Sequence, residues 1–368
     1  MKDKSAIVYI ALPYVIDEMK HDRHVQVVGD KTSRVAYLDA LEEEIRDAAD
    51  EYENVAIDAV RIGGPSPSVM DPDRIGRILQ LVKRLYSVNP RAEMSVKAIP
   101  NTVCTPSLTG WAYGNPTRIS LKIDSLKSGE LQALGRPWMV QDIQNAVLFL
   151  DKFHVANIDA QLMYGIDGQS LTSWRQTLRS ALDLEPLHVT ISPMRRIENP
   201  EGNFGGYQEF YNAALEILVQ NGFEHYAVGR FAKPNHRDIY YSALLKGVDV
   251  IGFGLGARSL GEGFSYVNTS KYITYIEGRS DPAKIIVDPL VLDAEAQFAL
   301  YVDRRLHLMD DLDLAAMAND YGCELPSELK EGIETWVARG WVQESGTRLR
   351  LTDEGACACN RGESLLRA

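Results

Sequence analysis

Two lysines and an aspartate fall where a chain normally places apolar side chains. Lys97 lies in Met94-Ser95-Val96-Lys97-Ala98-Ile99, and Lys122 and Asp124 lie in Arg118-Ile119-Ser120-Leu121-Lys122-Ile123-Asp124. Both stretches read as buried strands, short and rich in apolar residues. Residues two apart on a strand share a face, so Lys122 and Asp124 can point the same way. An ammonium removed from water without a partner is costly or loses its proton. Two such lysines near the C-terminal ends of neighbouring strands therefore imply an anionic partner. Asp124, Asp159, or the carboxylate or phosphate of a ligand would serve. With lysines to hold an anion and an aspartate to take a proton, Lys97, Lys122 and Asp124 are the candidate catalytic residues.

Other potential ligands are less ordered in their spacing. His21, Asp22 and His24 crowd a polar stretch from Asp17 to about Ser33. Imidazole and carboxylate suit Zn²⁺ or Fe²⁺, but two nearby histidines in such a stretch read as a solvated loop, and no metal site is assigned. The four cysteines are Cys104, Cys323, Cys357 and Cys359. Cys357-Ala358-Cys359 is too tight for a Cys-x2-Cys knuckle and has no two further ligands beside it. It is expected in a C-terminal tail, and all four cysteines are expected as free thiols.

The elements that must position these residues alternate. Ala6–Leu12, Ala56–Ile62, Met94–Ile99, Arg118–Asp124, Ile158–Tyr164 and His188–Ser192 read as strands. Arg34–Glu53 carries Val35, Leu38, Leu41, Ile45 and Ala48 at helical spacing, and Asp71-Pro72 caps a helix with Ile75, Ile78, Leu79, Val82 and Leu85 on one face. Further helices are expected near 139–153, 170–184 and 207–221. Six strand–helix alternations predict an α/β protein with a parallel sheet closed into a partial barrel. Catalytic residues then gather at the C-terminal strand ends. From Glu224 the strands shorten and glycines increase. From about Leu292 helices lead to a small hairpin at Trp341–Gln343 and Arg348–Leu351, a winged-helix-like layout. The expected domains are 1–222, the barrel; 223–284, an α+β extension; and 285–368, the helical winged-helix-like module.

Of the 368 residues, 45% are hydrophobic and 24% charged, ordinary for a globular chain with a large core. The formal charge of −12 argues against a nucleic-acid partner, as does the acidic run Asp310-Asp311-Leu312-Asp313 in the winged module. No apolar run is long enough to span a bilayer. Met1-Lys2-Asp3-Lys4-Ser5 leads into a strand without the cleavage region of a signal peptide, so a cytoplasmic protein is expected.

A series of motifs resembles the radical S-adenosylmethionine (SAM) proteins of the oxygen-independent coproporphyrinogen III oxidase and heme-chaperone family. Tyr9-Ile10-Ala11-Leu12-Pro13-Tyr14 resembles the family's Tyr-Ile-His-Ile-Pro-Phe, and Gly63-Gly64-Pro65-Ser66-Pro67-Ser68 its Gly-Gly-Gly-Thr-Pro-Ser. Arg118-Ile119-Ser120-Leu121, Leu134-Gly135-Arg136, Met163-Tyr164-Gly165-Ile166-Asp167-Gly168-Gln169 and Gly252-Phe253-Gly254-Leu255-Gly256-Ala257-Arg258-Ser259 have counterparts in the same order. The resemblance implies a radical-SAM-like (β/α)6 partial barrel. By position it implies cofactor contacts from Tyr14, Gly63, Gly64, Arg136, Gln161 and Met163.

The departures cluster at the site. The family's Cys-x3-Cys-x2-Cys, which holds a 4Fe–4S cluster, is Val15, Met19 and Asp22 here, and none supplies a thiolate. Pro65 removes an N–H donor. Lys97 replaces a carboxylate for the SAM amine, Lys122 a glycine, Asp124 a glutamine and Gln161 an aspartate for the ribose. The expectation is an enzyme without a 4Fe–4S cluster that binds SAM or a related small metabolite. It would use polar chemistry, such as alkyl transfer or intramolecular displacement. A non-enzymatic heme- or porphyrin-binding protein, suggested by His236, Tyr240 and Tyr241, and an inactive homologue serving as a partner protein are the alternatives.

Overall fold

The computed structural model describes residues 5–16, 24–194, 206–278 and 281–367. In chain order the strands are β1 (Ser5–Ala11), β2 (Tyr14–Val15), β3 (Val27–Val28), β4 (Ala56–Gly63), β5 (Ser87–Ala98), β6 (Arg118–Asp124), β7 (Ile158–Tyr164), β8 (His188–Pro193), β9 (Glu224–Ala227) and β10 (Arg230–Ala232). They continue as β11 (Asp249–Phe253), β12 (Arg258–Gly261), β13 (Phe264–Asn268), β14 (Ile286–Val291), β15 (Leu312–Asp313), β16 (Val342–Ser345) and β17 (Arg348–Leu351). The described chain divides into two compact units, each built from separated stretches. The first takes in Met1–Ile123, Leu134–Asp159 and Val248–Leu290, the second Asp124–Ala133, Ala160–Gly247 and Val291–Ala368.

In the first unit the strand order is β14-β13-β12-β11-β1-β4-β5-β6. β11, β1, β4, β5 and β6 run parallel, and β12 and β13 extend them antiparallel. The connections between the parallel strands are helical, as the alternation requires. Helix Lys31–Asp47 starts at an Asp30 cap that accepts the Ser33 N–H at 2.8 Å. It buries Leu38, Leu41 and Ile45 as expected, while Val35, in its first turns, is 44% exposed. The helical stretch ends earlier than the sequence suggests, giving way to a 3-10 turn at Ala49–Tyr52. Helix Pro72–Leu85 has its proline at the first position and an Asp71 cap that accepts the Arg74 N–H at 3.0 Å. Ile75, Ile78, Leu79 and Val82 are buried; Leu85, the last residue, is exposed.

In the second unit β7 and β8 neighbour each other, and β10 and β9 follow antiparallel. Tyr164 anchors an aromatic cluster with Trp174 at 5.8 Å and Tyr207 at 5.6 Å between ring centres. The C-terminal part has helices Ala294–Leu306, Leu314–Tyr321 and Ser327–Ala338 and a three-stranded sheet in the order β15-β17-β16. The acidic run is absorbed locally: Leu312 and Asp313 form β15, and Asp313 caps the next helix by accepting the Ala316 N–H. Cys357 and Cys359 are not in a tail. They are buried in helix Asp353–Arg361, whose Ala356, Cys357, Ala358 and Cys359 pack as small core residues. Among the described residues no helix is long and apolar enough to cross a membrane.

Candidate functional site

The two faces of β1, β4, β5 and β6 differ sharply. On one lie Val8, Ile10, Val60, Ile62, Met94, Val96, Ile119 and Leu121, all buried. The residues between them are Tyr9, Arg61, Glu93, Ser95, Lys97, Arg118, Ser120 and Lys122. Strand register aligns Tyr9 with Arg61, Arg61 with Ser95 and Ser95 with Arg118, and sets Lys97 opposite Ser120. Parallel strands are usually apolar on both faces, so a charged face here needs a partner for every group.

One such partnership is an ion-pair group within the face. Glu93, 4% exposed, accepts from Arg118 Nε at 2.8 Å and lies 3.7 Å from Arg61 Nη2. Arg61 Nε donates to Ser95 Oγ at 3.2 Å. Further along the same face, towards the C-terminal ends of the strands, come Lys97, half-buried, and Lys122, buried. The Ser120 hydroxyl between them is buried and makes no hydrogen bond.

Several residues singled out from the sequence collect at this same end of the first unit. Leu12 N donates to Gly63 O at 2.8 Å, bringing the end of β1 onto the end of β4. Gly64 has φ +131°, and a Cβ there would lie 2.2 Å from the Leu12 carbonyl oxygen; a Cβ on Gly63 would meet the Tyr9 ring at 2.5 Å. Gly64 is thus required by the packing of β1 on β4, and a side chain at Gly63 would displace the Tyr9 ring. Tyr14 follows on β2, buried against Tyr37 with ring centres 5.7 Å apart. Arg136 stacks over Trp138 at 5.6 Å, and Trp138 donates to the Ile123 carbonyl at the end of β6. Lys97, Lys122, Gly63, Gly64, Tyr14 and Arg136 therefore share one unit and one end of its strands.

The remaining candidates belong to the second unit. Asp124 is buried and has φ +59°, so the alternation that assigns a face up to Lys122 does not carry to it. Gln161 and Met163 sit on β7, half-buried and buried respectively. His236 precedes helix Ile239–Leu245; Tyr240 packs into the interior, and Tyr241 lies under the Arg230 guanidinium at 3.5 Å. Met19, His21 and Asp22 lie outside the described residues, and among the described residues no group of three or more His, Cys, Asp or Glu is placed to hold a metal. Cys104 caps helix Thr105–Ala112 in the first unit; Cys323, Cys357 and Cys359 are in the second. Burial pushes the Cys357 thiol up to about 11 and raises Cys359 further.

Sequence reasoning missed Arg61, Glu93 and Arg118. Arg61 and Glu93 each stand between apolar residues and Arg118 shares the parity of Lys122, but only the register between strands brings the three together.

No protein-family model matches the chain. Its fold is shared with coproporphyrinogen III oxidase HemN from Escherichia coli, whose structure superposes with a TM-score of 0.82 at 17% identity, covering 98% of this chain and 91% of that one. In sequence the chain is similar to proteins named heme chaperone HemW. The Synechocystis protein is 25% identical over 241 residues, 62% of this chain and 58% of that protein. The Lactococcus lactis protein is 21% identical over 336 residues, 87% of this chain and 86% of that protein. The Haemophilus influenzae protein is 21% identical over 372 residues, with 96% and 95% covered. The chain thus resembles the HemN- and HemW-like radical SAM proteins over nearly its whole length.

Proposed function

We propose that the charged face of the first unit is the binding site of an enzyme that works without an iron–sulfur cluster. It binds SAM or a related small metabolite by an anionic group and promotes polar chemistry, alkyl transfer or intramolecular displacement. The observation that supports this reading is the row of residues ending in Lys97, Ser120 and Lys122 on one strand face, in which the buried Ser120 hydroxyl makes no hydrogen bond. A ligand carboxylate there would accept from all three. The sulfonium of SAM is already an activated leaving group. Orienting the acceptor and excluding water would then supply much of the acceleration. Asp124 is left out of the catalytic set, because its left-handed backbone no longer assigns it to the lysine face.

A 4Fe–4S cluster is held by thiolates, and the donors present do not fit one at the loop after β1. Val15 offers an isopropyl group, and Met19 and Asp22 no thiolate. The first cysteine in the chain is Cys104, beyond β5. The raised thiols of Cys357 and Cys359 oppose the ionisation that a cluster requires.

Lys122→Met tests the reading with two measurements, a melting curve and a calorimetric titration with SAM. Removing one partner of a buried charge-assisted contact costs about 2–5 kcal/mol, so affinity should fall by tens-fold or more with a small change in apo stability. A large loss of apo stability with unchanged affinity would refute a ligand role for the lysine. A second reading, heme binding without catalysis, is favoured by the sequence likeness to proteins named heme chaperones. A Soret band on adding hemin that is lost in His236→Ala would support it over the first.

A further inference from the structure

Helix Lys31–Asp47 and the 3-10 turn after it place Glu44, Asp47 and Glu51 at helical spacing, three and four residues apart. They line one cavity of about 190 Å³, closed on other sides by β11 and β13 and sharing no residue with the charged face. A single water needs only about 10–15 Å³ of such space, so the cavity admits a ligand of several heavy atoms. Tyr52, Phe253 and Tyr266 contribute aromatic wall. None of the lining residues is a lysine, arginine or histidine.

Glu44 lies deepest in this arrangement. Its carboxylate accepts from Tyr275 Oη at 2.5 Å, Asn268 Nδ2 at 2.7 Å and Gly254 N at 2.9 Å. All three donors are neutral. The carboxyl is therefore held in place by dipoles with its charge uncompensated. The ionisable groups around it are the acids Asp47 and Glu51 and the phenols Tyr37, Tyr52, Tyr266 and Tyr275, none of which can supply a positive charge. Such a chamber, with carboxylates, aromatic rings and no cation, is complementary to a small organic cation. An anion would meet only repulsion.

We propose that this cavity binds a small organic ammonium ion, held by Glu44 and the aromatic wall. Desolvation raises the Glu44 carboxyl to about 7, so near neutral pH a fraction of it is protonated in the empty cavity. An arriving cation favours the ionised form, and binding should release a proton. Release falls away at pH values well above 7, where the carboxyl is already ionised.

Titration calorimetry of the whole chain with choline chloride, run in two buffers of different ionisation enthalpy, reads both binding and proton release. Sodium chloride and the neutral analogue with carbon in place of nitrogen are the controls. The expected result is saturable choline binding with proton release near pH 7. It should weaken at least tenfold in Glu44→Gln and at least tenfold in Ala48→Leu, which fills the cavity and leaves Glu44 in place. If Glu44→Gln does not fold, Ala48→Leu decides. No saturable binding at about 10 mM choline, weaker than a millimolar Kd, would overturn the proposal. So would equal binding of the neutral analogue, displacement of choline by equimolar sodium, or unchanged affinity in Ala48→Leu.

Discussion

Glu93→Gln should be among the most damaging single substitutions in the first unit. Glu93 serves two guanidinium groups, Arg118 at 2.8 Å and Arg61 at 3.7 Å, and both Glu93 and Arg118 are almost completely buried. At an effective dielectric constant near 20 the gross attractions are about 6 and about 4 kcal/mol. Desolvation offsets much of both. Removing the shared carboxylate leaves two cations on a buried face, and breaking such a group typically costs about 3–5 kcal/mol. Urea denaturation followed by circular dichroism measures the loss, and hydrogen exchange of β5 and β6 localises it. The triple variant Arg61→Leu/Glu93→Leu/Arg118→Leu removes these three charges together and should recover most of the stability. A loss below about 1 kcal/mol in Glu93→Gln, a value normal for solvated pairs, would refute the picture of a dry ionic face.

Two further outcomes follow from particular residues. Glu44 has a folded value of about 7 against an ordinary 4.5. It therefore binds more protons folded than unfolded across that window. Its contribution is greatest below pH 4.5 and is lost as pH rises to about 7; Glu44→Gln should flatten that fall, by up to about 3 kcal/mol, in denaturation curves taken across the range. Protein reconstituted anaerobically with iron and sulfide should give no 4Fe–4S paramagnetic signal on reduction and no 5′-deoxyadenosine from SAM; either product would overturn the cluster-free reading.

Much of the first unit was legible in the sequence because buried parallel strands and amphipathic helices carry strong patterns. Arg118–Asp124 is a strand over the expected residues, and in the second unit so is Ile158–Tyr164. The misses have local causes. β5 begins at Ser87 rather than Met94, because Ser87-Val88-Asn89-Pro90-Arg91 is polar and largely exposed, held to β4 by backbone pairing that leaves no hydrophobic signature. Cys357-Ala358-Cys359 looked like a tail because small residues give little periodicity, yet Thr352 caps a helix there by accepting the Gly355 N–H. At the site, Lys122 was visible as a charge in an apolar run. Arg61, Glu93 and Arg118 required the register between strands, which no single stretch encodes. Gly64, at the end of β4, has a packing reason that the sequence did not reveal: the approach of the Leu12 carbonyl leaves no room for a Cβ.

If, as proposed, this HemN-like fold binds its small-molecule ligand without a cluster, iron and sulfide should make no difference to binding. The most direct measurement is calorimetric titration of SAM into the protein before and after anaerobic treatment with iron and sulfide. The expected result is a micromolar Kd, about −8 kcal/mol, identical in the two preparations. Binding that appears only after the treatment, or no binding in either preparation, would contradict it.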